Sequence, residues 1–102
     1  MIKLENKLKK KKLIDSKQKI KELKNKGYDR IYIWDAEPNE EDLDHKHTYD
    51  THLIVLEGNI EIRKDSKSMV LKPGDEMDIP REKIHYGKAG VKGCKYIVAE
   101  RH

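Results

Sequence analysis

The sequence predicts an all-β domain, folded as a barrel and preceded by one N-terminal helix. Short runs rich in β-branched and aromatic residues follow one another from residue 31 onward, and turn signals separate them about every eight to twelve residues. Helical and strand patterns do not alternate, which argues against a parallel α/β sheet. We therefore expect a basic arm and helix over residues 1–27 and one β-barrel domain over residues 28–102.

The composition limits the size of the hydrophobic core. The chain has 102 residues, which suits one domain rather than two. Only 35% of the residues are hydrophobic and none is Phe, so the core must come mainly from Ile, Leu, Val, Tyr, Trp and Met. Forming a homodimer would help such a chain to bury enough apolar area, and we expect one. The single Cys94 is expected to be a small buried residue rather than a metal ligand.

The helix is predicted to begin at Asp15 or Ser16, because either side chain can accept hydrogen bonds from the first free N–H groups of a helix. Ile20 and Leu23 follow at helical spacing. Gly27 is the expected end, since glycine readily takes the left-handed conformation that terminates helices.

The strand runs are separated by turn signals of several kinds. An acidic loop is expected over residues 35–44, and Gly58-Asn59 predicts a hairpin. Asp65-Ser66-Lys67 predicts a further turn, and Pro73-Gly74 fits the centre of a type II turn. A glycine-flanked loop is expected over residues 87–93. The predicted strands are 31–34, 45–47, 52–56, 60–62, 69–71, 77–79, 84–86 and 96–99.

Positive charge is concentrated at the N-terminus. Residues 1–30 carry twelve Lys or Arg against four Asp or Glu, whereas residues 31–102 carry eleven against fifteen. We favour a solvated Lys-rich helix for the arm, because the lysine run 9–12 has no aromatic residues interleaved; contact with nucleic acid is the alternative. The chain shows neither a signal-peptide pattern nor an apolar stretch of membrane-spanning length, so we expect a cytoplasmic protein without membrane contact.

Four of the five histidines fall at two places in the sequence. His45 and His47 are two residues apart, so in a strand both imidazoles point to the same face. His52 begins the next predicted strand, and a turn between them could bring it back beside the pair. His85 lies further along the chain. Converging imidazoles form a site for one divalent transition metal ion, with Zn, Fe, Ni, Mn and Cu all suited to this ligand type.

These spacings resemble the two motifs of the cupin family. The first motif is His-x-His, three or four residues, Glu, about six residues and Gly, and residues 45–58 read HKHTYDTHLIVLEG. The second motif is Gly, five residues, Pro-x-Gly, two residues and His, and residues 74–85 read GDEMDIPREKIH. The resemblance covers about residues 31–101 and implies a double-stranded β-helix, the jelly-roll barrel of the cupins.

Two positions depart from the family pattern. Glu82 replaces the glycine of Pro-x-Gly. The glutamate of the first motif is absent, and its position falls on Thr51 or His52, depending on the length of the gap. We favour His52 as a fourth ligand beside His45, His47 and His85, because threonine is a poor neutral ligand; an outward-facing His52 is the alternative.

The resemblance implies a small metal-binding cupin whose reaction is open. If the protein is an enzyme, the family implies mononuclear metal chemistry of the dioxygenase or isomerase type, acting on a small oxygen-rich or anionic molecule. A non-catalytic ligand-binding or sensory module is the alternative. Asp50 is a candidate either for fixing a turn or for orienting a ligand imidazole. Candidates for the pocket lining are Trp34, Tyr49, Thr51, Tyr86 and Tyr96, although for the aromatic residues of a chain without Phe we favour a place in the core.

Overall fold

A computed structural model describes residues 14–102, and it confirms an all-β fold with one helix at its N-terminal side. Residues 1–13, most of the expected basic arm, lie outside the described range. No helix within that range is both long and apolar enough to cross a membrane. The elements are α1 (Ser16–Asn25), β1 (Arg30–Ala36), β2 (Glu41–His45), β3 (Asp50–Lys64), β4 (Lys67–Leu71), β5 (Glu76–Ile79) and β6 (His85–Arg101).

The two longest strands, β3 and β6, pair with each other in an antiparallel arrangement along nearly their whole length. The first half of β3 also pairs with β5, and the second half of β6 also pairs with β1. The second half of β3 pairs with β4, and the first half of β6 pairs with β2. The two long strands therefore run through two sets of four strands that pack against each other, as in a jelly roll.

The passage from one half to the other is made at two glycines. Gly58 and Gly93 have φ angles of 73° and 79°, and the β3–β6 register shifts between Gly58 and Ile60. A β-carbon at Gly58 would lie 2.2 Å from the carbonyl oxygen of Gly93. The backbone of β3 can approach Gly93 this closely only because Gly58 lacks a side chain.

Two turn predictions fail at this crossing. The hairpin expected at Gly58-Asn59 is wrong, because β3 continues through these residues with a bulge. The loop expected over residues 87–93 is also wrong, because β6 continues through it. The acidic loop over 35–44 is shorter than expected, since β2 begins at Glu41 and ends at His45.

The remaining turn and helix predictions are confirmed. Asp15 caps α1 by accepting a hydrogen bond from the backbone N–H of Gln18 at 3.1 Å. Gly74 has a φ angle of 93°, and the N–H of Asp75 donates to the carbonyl of Lys72, as a type II turn at Pro73-Gly74 requires. Asp65 and the residue after it take positive φ angles in the turn from β3 to β4.

The apolar residues form two layers on opposite faces of the same strands. The inner layer, between the two halves, includes Leu53 and Val55 of β3. The outer layer includes Ile54, their neighbour on the opposite face, and is covered by Leu23 of α1. Because side chains alternate along a strand, β3 contributes residues to both layers. Its outward face is apolar as well because the helix covers that face. Cys94 is buried in the inner layer, as expected.

Candidate metal centre

Three histidines meet at one point between the two halves of the barrel. His45, the last residue of β2, is the direct cross-strand partner of His85, the first residue of β6. Their ring centroids are 4.2 Å apart, and the ring of His47 lies 4.9 Å from His45 and 5.0 Å from His85. One ring nitrogen from each residue lies within 4.8 Å of the other two. This spacing is compatible with three imidazoles binding one ion.

The Nδ1 atom of each imidazole contacts an oxygen of the protein. His45 Nδ1 lies 2.5 Å from the carbonyl oxygen of Leu43, and His85 Nδ1 lies 2.9 Å from that of Lys83. A carbonyl oxygen only accepts hydrogen bonds, so both rings must carry their proton on Nδ1. The Nε2 atoms then present lone pairs, which is the arrangement that a metal-binding histidine needs. His47 Nδ1 is 3.4 Å from the hydroxyl of Thr51, which can donate or accept, so this longer contact does not fix the tautomer of His47.

The surroundings favour the neutral form of these imidazoles. Burial lowers the pKa of His47 and of His85 below the ordinary value of 6.5, and neighbouring histidines lower both further. Only a neutral imidazole has a lone pair to give to a metal ion, so the low pKa values keep the site ready for one at neutral pH.

The three histidines form part of the wall of a cavity of about 260 Å³ inside the barrel. Apolar residues that include Leu53, Ile62 and Val98 also line it. Tyr49 also lines it and stacks on His47, with 4.7 Å between the ring centroids and 17° between the ring planes. A ligand in this cavity would therefore meet the histidines and an apolar surface together.

His52 lies away from the other three histidines. It is on the outer face of β3, where its Nδ1 is 2.6 Å from Asp78 and its Nε2 is 2.7 Å from Glu76. Its ring faces Tyr28, just after α1. The expectation of a fourth histidine ligand therefore does not fit this geometry. Alternation along β3 turns Thr51 toward the cavity and His52 away from it.

Of the expected pocket residues, Trp34, Tyr49, Thr51 and Tyr96 line the cavity and Tyr86 does not. Tyr86 follows the inward-facing His85, so it points outward. Its hydroxyl donates to Glu41 at 2.6 Å, and the guanidinium of Arg63 lies 4.2 Å from its ring centroid.

Asp50, a candidate for orienting a ligand imidazole, instead binds two arginines. Its carboxylate accepts hydrogen bonds from Arg81 and Arg101. The bonds from the backbone and side chain of Arg81 hold the pKa of Asp50 at about 2. Asp50 therefore ties β3 to the segment after β5 and to the end of β6.

One cavity residue is absent from the sequence prediction. Glu100, near the end of β6, lines the cavity and is only 2% exposed. One carboxylate oxygen accepts a hydrogen bond from the Tyr32 hydroxyl at 3.2 Å. Burial, together with the charge of Glu100, raises the pKa of Tyr32 to about 12. The alternation of Tyr96, Val98 and Glu100 along one face of β6 is the signal that could have identified it.

Comparison with known proteins agrees with this architecture. The protein-family model for the cupin domain matches residues 32–99, so the chain belongs to the cupin family. A search of curated proteins finds no match.

Solved structures share the fold over most of the described chain. A conserved protein of unknown function from Streptococcus pyogenes aligns with a TM-score of 0.64 at 20% identity, over 70% of this chain and 61% of its own. A cupin-like protein from Thermotoga maritima aligns with a TM-score of 0.64 at 26% identity, over 70% of this chain and 55% of its own. The DMSP lyase DddQ from Ruegeria pomeroyi aligns with a TM-score of 0.65 at 19% identity, over 71% of this chain and 37% of its own. The chain thus spans about two thirds or less of the length of these proteins.

Proposed function

We propose that this cupin holds one divalent transition-metal ion through His45, His47 and His85 and uses it to bind a small polar molecule in the cavity. The observation that carries the proposal is the orientation of the rings. Protein oxygens occupy the Nδ1 side of each ring, and one nitrogen from each converges on a common point. Imidazole suits Zn, Fe, Ni, Mn and Cu alike, so the donor set does not choose among them.

The number of ligands favours metal-dependent catalysis over a purely structural ion. Structural zinc sites are closed by four protein ligands, whereas catalytic sites keep a position open for water or substrate. Within residues 14–102, the group of potential ligands contains three histidines and no fourth residue, and all three line the cavity. A bound ion would polarise an oxygen atom of the ligand or activate a bound oxygen species. We propose a mononuclear metal-dependent enzyme, with the dioxygenase and isomerase types as the candidates.

The test is elemental analysis of protein purified without chelators. The His47→Ala and His85→Ala variants should each lose stoichiometric metal, because two imidazoles in this geometry hold an ion far more weakly than three. His52→Ala is the matched control, since it removes a histidine that binds carboxylates on the outer face. Its metal content should equal that of the wild type.

The metal contents of these variants show which histidines hold the ion. Metal retained in both His47→Ala and His85→Ala would overturn the site. Metal lost in His52→Ala alone would point instead to the outer face of β3. A non-catalytic ligand-binding or sensory cupin would keep the same metal and bind its ligand without turning it over.

A further inference from the structure

We propose that Glu100 forms a second binding position in the cavity, which receives the ammonium group of a small zwitterionic molecule whose acidic end faces the histidines. This inference rests on the proposed metal centre and names the class of ligand that the centre would take. Four features of the cavity support it: the burial of the Glu100 carboxylate, the charge of the lining, the aromatic rings and the placement of Glu100 relative to His47.

The carboxylate of Glu100 is buried and has unused hydrogen-bonding capacity. Its Oε2 atom accepts from Tyr32, but Oε1 has no hydrogen-bond partner among residues 14–102. Arg30 Nη1 and His102 Nε2 lie 3.5 and 3.8 Å from Oε1, and their side chains are 67% and 50% exposed. Neither lines the cavity. Because a buried carboxylate oxygen without a hydrogen bond is costly, a donor arriving from the cavity side would stabilise this group beyond what the two ion pairs give.

The charge of the cavity wall favours a positively charged group. Asp42 and Glu100 contribute carboxylates to the wall, and no Lys or Arg is among its described lining residues. Tyr32, Trp34 and Tyr96 line it as well. Aromatic faces attract ammonium groups, and the attraction grows where water is excluded. An anion without a positive group would meet two carboxylates on the wall, whereas a zwitterion can place each of its charges favourably.

The position of Glu100 sets the length of the ligand. Glu100 is the direct cross-strand partner of Thr51, whose hydroxyl is 3.4 Å from His47 Nδ1. Yet Glu100 is not among the groups whose ligand atoms lie within 4.8 Å of one another. The Glu100 carboxylate therefore lies more than 4.8 Å from at least one of the three imidazole ligand atoms, so a bridging molecule must carry its two charged groups apart. The cavity volume of about 260 Å³ restricts the ligand to a small molecule.

The experiment compares two series of small molecules on zinc-loaded protein. The first series is β-alanine, 4-aminobutanoate and 5-aminopentanoate, and the second is propanoate, butanoate and pentanoate, which lack the ammonium group. Dissociation constants come from NMR titrations. We expect at least one amino acid to bind about tenfold more tightly than the alkanoate of equal carbon number, the effect of one charge-assisted hydrogen bond.

Three variants make the result specific to Glu100. Glu100→Gln keeps the shape and removes the charge, so the preference should fall below about twofold while the zinc content is unchanged. Glu100→Asp withdraws the carboxylate by one carbon, so the preferred amino acid should become one carbon longer. Glu57→Gln is the control, because Glu57 is 74% exposed and pairs with Lys95; it should keep the wild-type preference.

Equal affinities of the two series for the wild type would overturn the inference. So would a preference that persists in Glu100→Gln, since that would reflect chelation of zinc by the amine. If Glu100→Gln does not fold, an unchanged chain-length optimum in Glu100→Asp is the overturning result. The metal centre is judged separately, by the loss of zinc in His85→Ala.

Discussion

The imidazoles of His47 and His85 lie in surroundings that disfavour a positive charge. Their pKa values are below the ordinary value of 6.5, chiefly because of burial. In the unfolded chain both groups would take up protons near pH 6.5, whereas in the folded, metal-free protein they resist protonation. Protons therefore bind preferentially to the unfolded state in this range, and the free energy of unfolding decreases as the pH falls.

We therefore predict that the metal-free protein loses thermal stability as the pH falls from about 7.5 through 6.5, above the range where most carboxylates titrate. The loss begins as the pH approaches 6.5 and ends below the depressed pKa values. The measurement is the melting temperature of the wild type and of His85→Gln across this range. The slope should be smaller for His85→Gln, and equal slopes would show that burial of His85 does not drive the effect.

The two carboxylates around His52 give that residue a structural role. The Nε2 atom of His52 lies 2.7 Å from Glu76 and its Nδ1 atom 2.6 Å from Asp78, so this side chain links β3 to β5 through both ring nitrogens. His52 is 15% exposed, but Asp78 is 73% exposed, and solvent weakens that pair.

We predict that His52→Ala lowers the free energy of unfolding by about 1–2 kcal/mol. The measurement is urea denaturation near neutral pH, with His102→Ala as a comparison, since His102 also pairs with a carboxylate but is 50% exposed. An unchanged midpoint for His52→Ala would mean that the contacts of His52 with Glu76 and Asp78 contribute nothing to stability.

The sequence identified three of the residues that converge, but it could not decide between Thr51 and His52. Adjacent residues in a strand point to opposite faces, and the face that carries the apolar residues normally identifies the inside. Here that test fails because Leu53 and Ile54 are both buried. Ile54 lies beneath α1, and the position of that helix cannot be read from the pattern of β3 alone.

At the scale of elements, the crossing of β3 and β6 is the most constrained part of the fold. Alanine at Gly58 would have to take a φ angle of 73° and place its β-carbon 2.2 Å from the Gly93 carbonyl oxygen. That oxygen belongs to the backbone of a central strand and cannot move without changing the pairing of β6. Gly74 has a similar φ angle of 93°, but within residues 14–102 no atom beyond Gly74 and its two chain neighbours lies within 4 Å of the position of its β-carbon.

We predict that Gly58→Ala lowers the free energy of unfolding by more than about 3 kcal/mol, because a steric clash adds to the backbone strain. Gly74→Ala carries the strain alone and should cost only about 1–2 kcal/mol. Urea denaturation of both variants measures the difference. Similar losses in the two would show that the strands can separate at the crossing without much cost.

The same crossing explains which elements the sequence could predict. Pro73-Gly74 and Asp65-Ser66 were predicted correctly, because each turn is determined by its own residues. Gly58 and residues 87–93 were misjudged, because a positive φ angle at glycine serves a hairpin and a bulge equally well. The choice depends on whether a partner strand continues alongside, and that partner is distant in the sequence.

At the scale of the whole molecule, a homodimer remains a prediction. Met69 and Val70 are adjacent in β4, at one end of the sheet order, and they are 52% and 54% exposed. A second copy that pairs along β4 would cover both, as edge strands often require. We expect light scattering to give twice the chain mass of 12.0 kDa. Replacing both residues with Lys should restore the single-chain mass, whereas Val91→Lys, at a 77% exposed site, should leave the dimer intact.

The path of β6 has a consequence for how ligand binding would be transmitted. His85 is its first residue and Glu100 is next to its last, and both line one cavity. A straight strand of 17 residues would extend about 55 Å, so only the bend near Gly93 returns its two ends to a common space. A molecule that contacts both ends of β6 would hold those ends together. Amide hydrogens around the bend would then exchange more slowly with solvent, although no atom of the molecule reaches them.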